Sequence, residues 1–149
     1  MNACATYDDV SLILRLYDLR REEKMRQARA WFISSFHVAT LEEFQALCPP
    51  GSDSNANYRM VTSYWDMAAS FVHNGVLHRD LFFESNRELL VVWERLRDVL
   101  PALRESLKDP KAYHNLEAVA ALYVEWVKQR GPEAYQAFSQ RMRARPQQR

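Results

Sequence analysis

Glycine is scarce in this chain, with only three among 149 residues. That excludes a glycine-rich phosphate cradle, which needs several side-chain-free positions close together so that backbone N–H groups can approach the anion. Cysteine is rarer still, with two. Cys4 and Cys48 stand far apart with no Cys-x-x-Cys pattern, so they read as two free thiols in a reducing compartment rather than as a disulfide or metal framework. An excess of one charge is also missing. Twenty Lys and Arg face nineteen Asp and Glu, for a net charge of +1, and so balanced a chain has no long-range field with which to gather nucleic acid or an anionic membrane. Nor does any stretch reach the roughly 18 uninterrupted apolar residues that a membrane span requires. Asp8 and Asp9 fall where a secretory signal would be basic, and Arg15 interrupts the apolar run that follows. The expectation is a cytoplasmic protein with no membrane span and no nucleic-acid partner.

What the chain does have is the material of a core. Apolar residues make up 48% of it, including four tryptophans and seven phenylalanines, and a single domain of this size hides roughly 70% of its extended-chain surface on folding. Residues 1–145 read as one helical domain, with 146–149 as a frayed basic tail.

Between sparse breakers the apolar residues recur at helical rather than alternating spacing. Asp8 or Asp9 is placed to cap a long first helix running to about Val38. Its start is apolar on a wide face (Val10, Ile13, Leu14, Leu16, Tyr17), its middle from Asp18 to Arg29 is almost wholly charged, and its end turns apolar again at Trp31, Phe32, Ile33 and Phe36. Glu22 and Arg26 are spaced i,i+4 to support the middle. Thr40 and Glu43 have the capping-box spacing at the head of a short helix stopped by Pro49-Pro50-Gly51. A polar loop from Ser52 to Ala56 precedes a helix over 57–74 that buries Met60, Tyr64, Ala68, Phe71 and Val72, with Gly75 as its left-handed C-cap. Asp80 caps a helix to about Leu100, and Pro101 starts or kinks a further turn. Asp109-Pro110 begins a helix that ends at Gly131, and Pro132 opens a last one to about Arg143. No strand pattern competes. The fold class is therefore all-α, a bundle of five to six helices with a long N-terminal helix, and Trp65, Phe71, Trp93, Leu96, Tyr123 and Trp126 are its expected central contacts.

Candidate chemistry is thin. A carboxylate-bridged di-metal bundle places Glu-x-x-His on two helices, yet no glutamate here has a histidine three residues later. His73, His78, Asp80 and Glu84 cluster around one turn and are weak candidates for a metal site, but their spacing matches no zinc or manganese pattern. The plainer reading gives two solvated histidines near helix ends and Asp80 as a cap. His114 and Glu117, at i,i+3, share a helix face and read as surface neighbours before they read as an acid–base pair. A helix-turn-helix reading of the segment around Asn74 to Arg79 fails on Asp80 and Glu84, which would face phosphate with the wrong charge. The arginines at 20, 21, 26 and 29, with Lys24, are interleaved with acids. Arg141, Arg143, Arg145 and Arg149 form a basic tail that suits solubility. An acid on an aromatic helix face calls for a partner, so Asp66 is assigned to a structural polar pair with Arg104, Arg95 and Arg97 being alternatives.

Four stretches, Tyr64-Trp65-Asp66-Met67-Ala68-Ala69, Val72-His73-Asn74-Gly75-Val76-Leu77, Trp93-Glu94-Arg95-Leu96 and Pro101-Ala102-Leu103-Arg104-Glu105, resemble an uncharacterised family of small bacterial all-helical proteins, a domain-of-unknown-function family. The likeness covers residues 57–127. This chain has Asp66 where members often carry glutamate. The resemblance implies an all-helical fold and a bacterial origin, and it implies no activity, cofactor or catalytic residue. Some members carry a membrane helix before the domain, a role for which the first helix here is too charged.

The leading functional reading is a non-catalytic protein–protein interaction or scaffold domain, with a homodimer through the long first helix as one form of it. The competing reading is a small-ligand or metal-binding helical protein or enzyme with an inter-helix pocket, where His73, His78, Asp66 and Tyr64 would converge. No cofactor is called for.

Overall fold

The computed structural model describes residues 3–147; Arg149 of the basic tail lies outside the described residues. Its first helix opens on a reciprocal cap. Thr6 Oγ1 accepts from the Asp9 backbone N–H, and the Asp9 carboxylate accepts from Thr6 N at 2.7 Å, so the cap is Thr6 and Asp9 closes the box from inside. Helix α1 spans Tyr7–Arg21 and stops there. The long first helix expected from the sequence is two helices, because Glu22 adopts extended ψ (143°) and turns its carboxylate onto the N–H groups of Lys24 and Met25. Glu22 thus caps α2 (Glu23–Ser35) instead of pairing with Arg26 along a continuous helix. Those two bonds hold the Glu22 carboxyl below its ordinary value. The break is then locked from outside: Arg29 donates to Arg20 O at 3.1 Å and forks onto the Glu88 carboxylate, with Nη2 to Oε2 at 2.7 Å.

Thr40 caps α3 (Leu41–Leu47) as its spacing predicts. The region read as a polar loop is already helix. Ser52 accepts from Asn55 N, which starts α4 (Asp53–His73) four residues earlier than the apolar pattern alone places it. At its far end Gly75 has φ +73°, with Val76 N bonded to Phe71 O and Gly75 N to Val72 O, the paired pattern of a left-handed helix stop.

The expected helix from Asp80 to Leu100 is also broken. His78, not Asp80, caps α5 (Arg79–Ser85), its ring Nδ1 accepting from Leu81 N. Asn86 interrupts the run because its buried side-chain amide donates to Phe82 O, competing with the backbone for that acceptor. Helix α6 (Glu88–Leu96) follows, then α7 (Leu100–Leu107) with Pro101 in its first turn. Asp109 caps only a tight turn through Lys111 N, so α8 starts at His114 and runs to Arg130. Before it, Lys108 and Tyr113 both occupy the left-handed region at φ +54° and +59°. Gly131 ends α8, and α9 spans Ala134–Arg143. The described residues thus form nine helices and no strand, more pieces than the five to six expected.

Helix α4 is the hub. It packs most extensively against α8 and α2, and buries Tyr58, Val61, Thr62, Tyr64, Trp65, Ala68, Ala69 and Val72. Trp65, Leu96 and Tyr123 are central as expected, whereas Phe71, Trp93 and Trp126 lie partly buried around them and Met60 faces solvent. Two aromatic stacks fill the ends of the core. Phe36 lies between Phe32 and Tyr58 at ring distances of 4.6 and 5.4 Å, and Phe83 stacks on Tyr123 at 4.1 Å.

Candidate functional site

The four residues singled out as weak metal candidates are only partly brought together. His73, His78 and Asp80 border one open groove of about 320 Å³ beside Gly75, and Glu84 lies outside it, 3.9 Å from Arg130. His78 is committed at both ends: its ring caps α5 and its backbone N–H donates to Asp9 Oδ1 at 2.8 Å. Asp80 pairs with Arg79, and His73 faces the ring of His114 edge-on at 6.1 Å. Among the described residues no group of three or more His, Cys, Asp or Glu side chains is arranged to hold a metal ion. Cys4 and Cys48 are both free, the former exposed and the latter buried; burial pushes the Cys48 thiol up to about 11.

Asp66 and Arg104 meet the same corner of the fold without touching. Asp66 Oδ1 accepts from Leu116 N at 3.0 Å, which makes it the cap of α8 supplied from another helix. The need is visible in α8 itself, whose own cap residue Tyr113 offers no side-chain bond. Arg104 donates to Ala112 O at 3.0 Å and to the Glu117 carboxylate at 3.2 Å, tying the same turn down from α7. Glu117 is therefore held by Arg104, and the His114 ring sits on Lys111 O instead. Tyr64 is buried with its hydroxyl donating to Leu16 O at 2.6 Å, so it reaches no groove. The four polar groups expected to converge in a pocket are distributed over three places.

The feature that stands out is on α1. Its inward face carries Asp9, Leu12, Ile13, Leu16 and Arg20, with Leu16 the one fully buried apolar residue. The neighbouring stripe, Tyr7, Val10, Leu14 and Tyr17, is 83%, 42%, 57% and 46% exposed. Those positions recur at intervals of three, four and three, the spacing of a coiled-coil seam, so the four side chains line one edge of a helix about 22 Å long. Val10, Leu14 and Tyr17 were legible as apolar positions; Tyr7 was not, because a cap at Asp8 or Asp9 places the helix after it. Arg20 and Arg21 both approach the Tyr17 ring, each 5.4 Å from its centre, and steady the end of the stripe. Asp8 lies exposed at the acidic first turn and Arg21 at the basic last turn.

A family model described as a domain of unknown function (DUF4760) matches residues 5–126, from just before α1 to within α8. It extends the sequence likeness toward the N-terminus and leaves α9 outside. Neither a curated protein nor a solved structure matches the chain.

Proposed function

The chain belongs to the DUF4760 family, and from that premise we propose that it is a non-catalytic protein–protein interaction domain that self-associates through α1. One observation carries the reading: a seam-spaced apolar stripe stands in solvent on a helix whose other side already fills its place in the core. Four large apolar side chains aligned on one edge differ from the scattered single apolar residues normal to any surface.

A second copy is the occupant that the charges favour. Two α1 helices laid antiparallel about a twofold axis put Tyr7 opposite Tyr17 and Val10 opposite Leu14, so that the same stripe serves both sides. The arrangement also sets the Asp8 end of one helix beside the Arg21 end of the other, a pairing of opposite signs that a parallel arrangement lacks. A contact built on one short helix covers less than the ~800 Å² per partner of a standard interface, so the expected association is of micromolar strength.

Sedimentation equilibrium over a range of concentrations tests this. The wild-type chain is expected to pass from monomer to dimer within the micromolar range, and Leu14→Glu to remain monomeric throughout while keeping the wild-type helical content. A monomeric mass for the wild-type chain at millimolar concentration would remove the reading.

A further inference from the structure

Arg95 is 92% buried, counting its 8% exposure, and has no carboxylate partner among the described residues. The adjacent carboxylate is engaged elsewhere: Glu94 accepts from Tyr135 and Ser139 and lies 3.3 Å from Arg97. Arg95 instead serves carbonyls. Nη1 donates to Ile33 O at 3.0 Å and Phe36 O at 3.1 Å, at the C-terminal end of α2, and lies 3.3 Å from His37 Nε2. Nε donates to Met142 O near the end of α9. Nη2 makes no hydrogen bond among the described residues and is not one of the fully buried atoms left without a partner, so it keeps some accessible surface. Carbonyl dipoles satisfy some of the N–H groups but leave the positive charge itself uncompensated, and an uncompensated buried charge is costly.

Beside this guanidinium lies a cavity of about 100 Å³, bordered by His37, Glu94, Arg95, Asp98, Arg143 and Arg145, with the Glu94 carboxylate already engaged by Tyr135 and Ser139. Arg143 and Arg145 enter it from the end of the chain, held by Asp98 and by Glu43 at 2.8 Å. Counting Arg95, Arg97, Arg143 and Arg145 against Glu94, Asp98 and Glu43, the corner retains one positive charge. A second sign of that local potential is the ring of His37. Burial, and after it the nearby charge of Arg95, pushes its pKa down.

We propose that this cavity is a binding site for a small oxyanion, of phosphate or carboxylate type, held by Arg95 Nη2 with Arg143, Arg145 and His37 around it. The volume admits a single tetrahedral or planar oxyanion group. Planar guanidinium donors match two oxygens of such a group at once. The site joins α6 and the segment after α2 to α9 and the residues beyond it, so an anion bound there would also fasten the C-terminal segment that lies outside the family match.

Calorimetric titration of the full chain with inorganic phosphate, and separately with acetate, tests the proposal. Removing Arg95 itself would also strip the cap from α2 and release α9, so the variants are Arg143→Gln and Arg145→Gln, whose side chains are 36% and 59% exposed. The expected result is saturable one-to-one binding of at least one of the two anions, weakened about tenfold or more in each variant. Arg130→Gln, a surface arginine outside the cavity, is expected to leave it unchanged. Tighter binding of phosphate marks a phosphate-bearing natural ligand, and tighter binding of acetate a carboxylate. No saturable binding of either anion, or binding that all three variants share with the wild-type chain, would overturn it.

Discussion

Helices α4 and α1 both carry an apolar face at helical spacing, yet the fold treats them oppositely. α4 buries eight side chains, among them Trp65 with no exposed surface, and is clasped by α2 and α8. α1 buries one apolar side chain fully, Leu16, and leaves four more in a line in solvent. An apolar stripe thus says that a surface wants covering, and only the packing says whether the same chain covers it. Polar contacts mark the same division. The bonds that anchor α1, from Tyr64 to Leu16 O, from His78 to Asp9 and from Arg29 to Arg20 O, all fall on its inward side or its end.

Substitutions sharpen that contrast. Trp65→Ala strikes the hub and is expected to cost about 3–5 kcal/mol in chemical denaturation. A loss under about 1 kcal/mol would mean that α4 is not the centre of the core. Gly75→Ala should cost about 1–2 kcal/mol, entirely from its left-handed backbone, since an added Cβ meets nothing within 4 Å. Asp66→Ala removes the cap that α4 lends to α8 and is expected to lower stability by about 1 kcal/mol. Asp66→Asn, which keeps an acceptor oxygen, should lose less; equal losses would point to the charge rather than the hydrogen bond. At the other end of the scale, Leu14→Glu should change the folding stability of the monomer by less than about 0.5 kcal/mol, as monitored by thermal melting in dilute solution.

Much of this could be read from the residues. Thr40, Gly75, Pro101 and Gly131 stand where their chemistry places them, and Trp65, Leu96 and Tyr123 are as buried as their helical spacing suggests. The breaks at Glu22 and Asn86 were hidden for a shared reason. Each residue sits within a helix-compatible pattern, and each ends its helix by turning a side chain onto backbone groups, a choice fixed by tertiary neighbours such as Arg29 and Glu88. Asp66 was conspicuous as an acid among aromatics, but its partner is a backbone N–H fifty positions on, and backbone donors leave no trace in composition. Arg95 was hidden in another way. It was one of the alternative partners for Asp66, yet it serves backbone carbonyls, and its burial comes from the C-terminal end of α2 and the end of α9 closing over it.

The division between α4 and α1 is tested most directly by amide hydrogen exchange followed residue by residue as the protein concentration is raised from low micromolar to millimolar. Amides of α4 are expected to exchange at one slow rate throughout, since the chain alone covers them. Amides of α1 between Tyr7 and Tyr17 are expected to slow as concentration rises, and to stop responding in Leu14→Glu. Protection of α1 that stays constant across the whole range would contradict self-association through its exposed stripe.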